Sequence, residues 1–354
     1  MVGLGSAGPP ATGMCGLCAQ VLGEPRERTG LLLRSPCGRQ CHFECLRRRI
    51  SAGEPLSCGA CVVECFEEYA SSLRMICEAA SAVFSNYPSE LELWVSRELT
   101  LGRPVTLLRE VPPVIFEFSG LRCLDFTGHP IAVVPPAISR LRSLKRLVLI
   151  SAYLQELPDE ICDMSGLEQL FVCCCNLQKM PARLGELPNL WRLYMDLNQI
   201  RTLPERFPTR IDGLKITGNL LERIPDSIGE CKGLRDILAN GNMLTTIPES
   251  LCRLTSVRHL MLHGNQLRSL PESIGLMSGL ESLLVHDNHL ERLPDSVSDL
   301  PGLEWLYVYN NHLRELPKGL TTRPPRLERL LVEANPLSEQ AVCELLATVP
   351  GSLR

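Results

Sequence analysis

No stretch of the chain approaches the ~18 consecutive apolar residues that a membrane-crossing helix needs, so none is expected. Positive charge is not in excess either. The formal net charge is −4 over 354 residues, which removes the electrostatic case for nucleic acid or an anionic membrane as partner. The opening MVGLGSAGPPATGM has neither a basic start nor an apolar core, so no signal peptide is expected. Also missing are a phosphate-binding glycine loop, a Gly-x-Ser-x-Gly elbow, and a carboxylate or nucleophile–base pair with motif support. Catalysis by the histidines of the C-terminal half therefore carries little weight.

Cysteine, by contrast, is abundant. There are seventeen, and nine of them lie before residue 78. Without a signal peptide, a reducing compartment is the better reading than a disulfide framework, which places the chain in the cytoplasm with a nuclear setting left open. Paired spacings in such a setting point to metal. Residues 14–62 carry Cys15-x2-Cys18, then after eighteen residues CGRQCHFECL with Cys37, Cys41, His42 and Cys45, and then Cys58-x2-Cys61. Thiolate and imidazole are preferred zinc ligands, and a two-residue gap lets one tight turn offer two sulfurs to a tetrahedral ion. A segment of about 50 residues with few large apolar side chains cannot hold itself by burial, so zinc would supply folding energy. The ordered pairs argue against the alternative that these are merely small buried residues.

This segment resembles a RING finger in Cys15-x2-Cys18, the LLL before SPC, Cys37-Gly38, His42-x2-Cys45-Leu46 and Cys58-x2-Cys61. The resemblance implies a cross-brace of two zinc ions, with one ion as the alternative. Cys15, Cys18, His42 and Cys45 would hold the first. Cys37, Cys58 and Cys61 would hold the second, with Cys41 as the nearest fourth ligand, because the position where the family carries histidine is Arg39. Leu17 is the apolar residue at which a ubiquitin-conjugating enzyme docks in the family. Gly59 and Val62 depart from the proline and the basic residue common in its ligases. A PHD-type or other treble finger using Cys41 is the alternative within zinc modules.

Residues 1–13 read as a disordered tail. Over 62–85, Phe66, Tyr69, Leu73, Ile76, Ala80 and Val83 recur at three-four spacing, which predicts an amphipathic helix stopped at Asn86–Pro88. Ser89 then caps a short helix through Trp94. The bland role for 63–97, covering the open end of an array, outweighs a dimer or partner surface.

The array is the dominant feature. Val257–Gly279 reads V-x-x-L-x-L-x-x-N-x-L-x-x-L-P-x-x-I-x-x-M, and the pattern restarts at Leu280 and Leu303. Ten units start at Leu121, Leu144, Leu167, Leu190, Ile211, Leu234, Val257, Leu280, Leu303 and Leu327. The step is 23 residues except for 21 before Ile211 and 24 before Leu327, and a degenerate opening unit occupies 98–120. A fixed period of this kind means stacked units that share one core. L-x-x-L-x-L predicts a short strand with one side buried. The strand ends on His129, Ala152, Cys175, and then Asn198, Asn219, Asn242, Asn265, Asn288, Asn311 and Asn335, predicting a buried ladder whose amides bond to the backbone. The Leu-Pro that follows places proline at the first position of a helical turn, with acidic residues behind it. Cys173, Cys174 and Cys175 do not read as a metal site, since adjacent strand residues face opposite ways. SEQAVCELLATVPGSLR predicts a capping helix over 338–354, with Ser338 as N-cap and Val342, Leu345, Leu346 and Val349 inward.

The LPxxI form over 121–337 resembles intracellular leucine-rich repeats, of the kind in Ras-pathway scaffolds, plant Ras-group-related repeats and polarity adaptors. The resemblance implies an α/β solenoid, with parallel strands on the concave side and helical turns outside, preceded by the zinc module and a helical cap. For function it implies protein recognition. The third, fifth and seventh residues of each unit are expected on the concave side. They give Phe171, Arg192, Tyr194 and Asp196 in the middle, and His259, Met261, His263, Leu284, His286, Trp305, Tyr307 and Tyr309 further on. Exposed aromatics with histidine and arginine have the composition of a binding hot spot. Two readings follow. One is a ubiquitin ligase whose array selects a protein substrate; the other is a non-enzymatic adaptor whose zinc finger is structural.

Overall fold

The computed structural model describes residues 108–339 except 112, 118, 119 and 321–323, together with Ala341 and three short strands upstream. These strands are β1 (Leu32–Arg34), β2 (Gln40–His42) and β3 (Glu98–Thr100). β1 and β2 pair antiparallel with Leu33 opposite Cys41. The tail at 1–13, the helices expected over 62–85 and 89–94, and Val342, Leu345, Leu346 and Val349 lie outside the described residues. Where the C-terminal helix should begin, Ser338 Oγ accepts the Ala341 N–H at 3.2 Å, which is the capping contact its sequence anticipates.

The chain forms two units, Met1–Ile131 with Arg140–Leu144, and Ala132–Ser139 with Lys145–Arg354. In the first, β3 pairs in parallel with β4 (Cys123–Asp125), and Pro113–Glu117 forms a 3₁₀ turn. Leu108, Ile115, Leu121, Leu124 and Phe126 are fully buried there. His129 is buried as well, and its Nδ1 accepts the Leu108 N–H at 3.1 Å.

The second unit is a run of nine parallel strands: β5 (Arg146–Val148), β6 (Gln169–Phe171), β7 (Arg192–Tyr194), β8 (Gly213–Lys215), β9 (Asp236–Leu238), β10 (His259–Met261), β11 (Ser282–Leu284), β12 (Trp305–Tyr307) and β13 (Arg329–Leu331). Each pairs with the next in chain order. Their central residues face one another in register, from Leu147 and Leu170 through Ile237 to Leu306 and Leu330, and all are buried. The irregular steps leave this register intact. Tyr194 still faces Lys215, and Tyr307 faces Leu331, so the segments between strands absorb the missing or extra residue.

Outside the strands, 3₁₀ turns run over Asp159–Asp163, Leu184–Glu186, Asp226–Glu230, Leu251–Arg253, Glu272–Leu276 and Asp295–Asp299. Each buries one large apolar residue, Ile161, Leu184, Ile228, Leu251, Ile274 and Val297, which closes the core opposite the strands. The proline expected at the first helical position sits one place earlier. Pro158, Pro225, Pro271 and Pro294 are extended, with ψ between 141° and 151°. Each carbonyl accepts the N–H three residues on, as Ile161 to Pro158 at 3.1 Å, so the proline caps the turn. The missing proline N–H costs nothing there, and the acidic residue behind it stands in the first turn, where partial positive charge favours it.

The asparagine ladder forms as its spacing implies. Asn288 Oδ1 accepts the Leu267 N–H at 2.9 Å, and its Nδ2 donates to Leu262 O at 3.0 Å and Val285 O at 3.1 Å. Asn198, Asn219, Asn242, Asn265 and Asn311 repeat this set between their own unit and the one before. Cys175 fills the rung with a thiol that donates to Leu149 O at 3.2 Å. Burial pushes that thiol's pKa up to about 11, so it remains the donor the rung requires.

One feature of the backbone went unread in the sequence. The residue before each rung is left-handed at Cys174, Leu197, Gly218, Gly241, Gly264, Asp287, Asn310 and Ala334, with φ between 53° and 66°. Glycine, Asn and Asp at five of these positions reduce the cost of that conformation; Cys174, Leu197 and Ala334 do not.

Candidate functional site

Alternation along β5–β13 turns the central Leu and Ile residues inward and most of the flanking residues outward, with Val148, Gly213 and Ser282 buried. The outward positions of successive strands line up in rows about 4.8 Å apart, so like residues 23 apart come into contact. Two clusters result, one on β10–β13 and one on β5–β8.

In the first, His263 and His286 stack with ring centroids 4.3 Å apart and planes 9° from parallel. Tyr309 stacks on the other face of His286, again at 4.3 Å. Tyr307 lies 6.2 Å from His286 at a tilt, and its Oη accepts Arg329 Nη1 at 3.3 Å. Trp305 is the exposed member, with 44 % of its surface accessible. His259 is in a different row, where its Nδ1 lies 3.2 Å from Ser282 Oγ and its Nε2 lies 4.0 Å from Asp236. Met261 is half-buried on β10. The structure thus joins His263, His286, Tyr307 and Tyr309, and sets His259 apart from them.

Burial lowers the pKa of both stacked histidines below the ordinary range. The neighbouring His263 charge lowers that of His286 further, and Asp287, 3.8 Å from its Nε2, pulls the other way. A lowered folded pKa means that the unfolded chain takes up protons first as pH falls below about 6.5, so stability drops below that point and is flat above it. The melting temperature should therefore hold between about pH 8 and pH 7 and fall below pH 6.5 more steeply than in His286→Phe, which keeps the ring and loses the titration. Parallel melting profiles for the two proteins would show that the stacked pair does not carry the effect.

In the second cluster, Phe171 and Tyr194 meet edge to face at 5.0 Å. Arg146 lies 4.9 Å from the centre of Phe171, and Lys215 lies 4.5 Å from that of Tyr194. Arg192 lies 4.4 Å from the Trp191 ring and 5.7 Å from the Tyr194 ring, with its Nε buried and without a hydrogen-bond partner. Asp196 accepts the Thr217 N–H at 2.8 Å, and burial raises its pKa.

Cys174 is exposed, whereas Cys173 and Cys175 have pKa values pushed up to about 11 by burial. Among the described residues no cluster of three or more His, Cys, Asp or Glu is placed to hold a metal, and no helix is long and apolar enough to cross a membrane. Of the zinc-type residues, Cys15, Leu17, Cys18, Cys37, Cys45, Cys58 and Cys61 lie outside the described residues, and Cys41 and His42 are placed only by the backbone of β2.

Sequence reasoning missed Arg146, Trp191, Lys215 and Arg329. It also missed His289 and His312, which stack at 5.5 Å on the turn beyond the rungs. These two histidines are 23 residues apart, and reading the tenth position of each unit as a column would have found them.

A leucine-rich-repeat family model matches residues 278–337. No curated protein matches the chain. Among solved structures, the plant peptide hormone receptor RGFR1 in complex with RGF2 is 23% identical with a TM-score of 0.59, over 69% of this chain and 41% of that one. The internalin inlF of Listeria monocytogenes is 17% identical, TM-score 0.58, over 78% and 86%. The leucine-rich repeats of FLRT2, in an octameric complex with latrophilin 3 and Unc5D, are 22% identical, TM-score 0.54, over 70% and 86%. The chain spans less than half the length of the plant receptor. These likenesses agree with the strand register and the ladder: the fold is a leucine-rich-repeat solenoid.

Proposed function

We propose that this chain recognises a protein partner on the strand face of its leucine-rich repeats. The observation that carries the reading is the composition of that face. Stacked His263, His286 and Tyr309 lie beside Tyr307 and the exposed Trp305, all on a backbone that the buried leucines hold rigid. Rigid aromatic groups lose little entropy on binding and concentrate binding energy. The plant receptor of the same fold is described in complex with RGF2, and FLRT2 in complex with latrophilin 3 and Unc5D, which supports protein recognition as the use of this face.

The zinc-type segment extends the proposal. Two thiolate pairs and a Cys-Cys-His-Cys group form a donor set suited to zinc. Cys15, Cys18, His42 and Cys45 would hold one ion, and Cys37, Cys41, Cys58 and Cys61 the other. Zinc would fix the fold of 14–62, and Leu17 would present an apolar contact to a ubiquitin-conjugating enzyme. On this reading the protein is a cytoplasmic RING-type ubiquitin ligase whose repeats select the substrate. Arg39, Gly59 and Val62 favour a second reading, a signalling adaptor with a structural zinc finger.

Metal analysis of the full chain, followed by autoubiquitination with a panel of conjugating enzymes, separates the two. The ligase reading expects two zinc ions per chain and ubiquitin chains that vanish in Cys15→Ala. Two ions without ubiquitin chains would leave the adaptor. Absence of zinc would remove both versions of the module.

A further inference from the structure

Five cations of the solenoid pair with carboxylates. Arg183 pairs with Asp163 and Glu186, Arg223 with Glu205, Arg258 with Glu281, Arg292 with Glu272, and Lys145 with Glu168. Arg146, Arg192 and Lys215 make no such pair among the described residues. They stand together on the strand face of β5–β8, over Phe171, Trp191 and Tyr194. Arg192 buries its Nε without a hydrogen-bond partner, which fixes its guanidinium against the rings.

The strand register fixes the spacing. Arg146, Gln169 and Arg192 face one another on successive strands, so the two guanidinium-bearing positions lie two strands apart, about 10 Å. A peptide in the polyproline II conformation advances about 3.1 Å per residue with three residues per turn, so carboxylates at i and i+3 would lie on one side at close to that interval. Beside them, in the next row, Phe171 and Tyr194 offer an apolar floor. Lys215 faces Tyr194 one strand further on.

We propose that this face binds an acidic protein segment, with carboxylates about three residues apart around an apolar side chain. The inference rests on the protein-recognition reading and adds the partner's chemistry and its place on β5–β8. Nucleic acid fits less well. Asp196 is close enough to Lys215 to feel its charge, and Asp236 follows Gly213 in the row of Arg146 and Arg192, so a polyphosphate running along the face would meet carboxylates. The carboxylates of a peptide can be placed to avoid them.

The test is selection of a random-peptide display library on the full-length protein, followed by fluorescence anisotropy with a labelled Glu-Glu-Leu repeat peptide. The expected result is enrichment of Asp and Glu at i, i+3 spacing. Binding of the labelled peptide should fall about tenfold or more in Arg192→Glu and again in Arg146→Glu, and be much weaker for its Gln-Gln-Leu counterpart. Both variants change exposed or half-exposed positions, and an unaltered thermal melt checks that they fold. Peptides selected without acidic enrichment, and lost only on Trp305→Ala, would overturn this inference and leave protein recognition standing. Selection of nothing, on either half of the face, would count against both. Single-stranded DNA binding as tightly as the acidic peptide would also overturn it, since the cations would then be reading phosphate.

Discussion

Asn288→Ala should destabilise the solenoid by about 2–3 kcal/mol, measured as the shift in a urea melt followed by circular dichroism. The buried amide accepts one hydrogen bond from Leu267 N–H and shares its two amide protons among the carbonyls of Leu262, Val285 and His286. Alanine leaves the Leu267 N–H without a partner where water does not reach it, at about 1–3 kcal/mol, while the Leu262 and Val285 carbonyls keep the bonds they accept from Asn265 and Asn311. Asn288→Asp should be at least as damaging near neutral pH, since it keeps the acceptor but turns a charge toward three carbonyls. Asn288→Cys should be milder, because Cys175 already performs the same donation to Leu149 O. The rung sits between β11 and its neighbours, and each unit contacts mainly the next, so local opening there should precede global unfolding. A shift below about 1 kcal/mol for the alanine variant would mean that the ladder is not a main source of cohesion.

Partner capture should be abolished when Trp305→Ala and Tyr307→Ala are combined, with the melting temperature of the array nearly unchanged. Trp305 is exposed, and Tyr307 makes its polar contact with Arg329 at the surface. The residue between them, Leu306, is fully buried and holds β12 in register, so the substitutions strip the face and spare the core. Each aromatic anchor in a recognition surface is worth about 2 kcal/mol or more, and two together exceed a hundredfold in affinity. Affinity capture from cells, followed by mass spectrometry, reads the effect. An enriched set of proteins that survives the double substitution would place the binding surface elsewhere.

Much of the fold was legible because its causes are local and repeat. The 23-residue period, the L-x-x-L-x-L strand and the asparagine at its end each recur within a window shorter than one turn of the solenoid. Even the 21- and 24-residue steps were visible, and their harmlessness follows from lying outside the strands. The proline was misplaced by one position because Leu-Pro-x-x-Ile is compatible with proline either capping or opening the turn. Only ψ near 144° at Pro158 distinguishes them. The left-handed residue before each rung was hidden because Cys174, Leu197 and Ala334 carry no glycine-like signal.

The candidate surface was legible only as a list. Alternation named the outward positions, yet it could not say which side chains meet. His259 opens β10 and His263 lies two residues beyond its end, and the fold separates them. His263, His286 and Tyr309 are 23 apart, and the fold stacks them. Nor could the sequence tell paired cations from unpaired ones. Arg258 and Arg192 occupy neighbouring positions of the same pattern, but one meets Glu281 and the other lies over tryptophan and tyrosine rings.

The sequence by itself determined the solenoid, because a side chain's burial there depends on its place within one short unit. It also proposed the zinc module, because ligand type and spacing are local chemistry. Tertiary structure alone decided the ring stack, the shift of histidine pKa values and the placement of cations over the aromatic rings of β5–β8. Those properties belong to contacts between units, which arise only when register brings strands 23 residues apart to within 5 Å of each other.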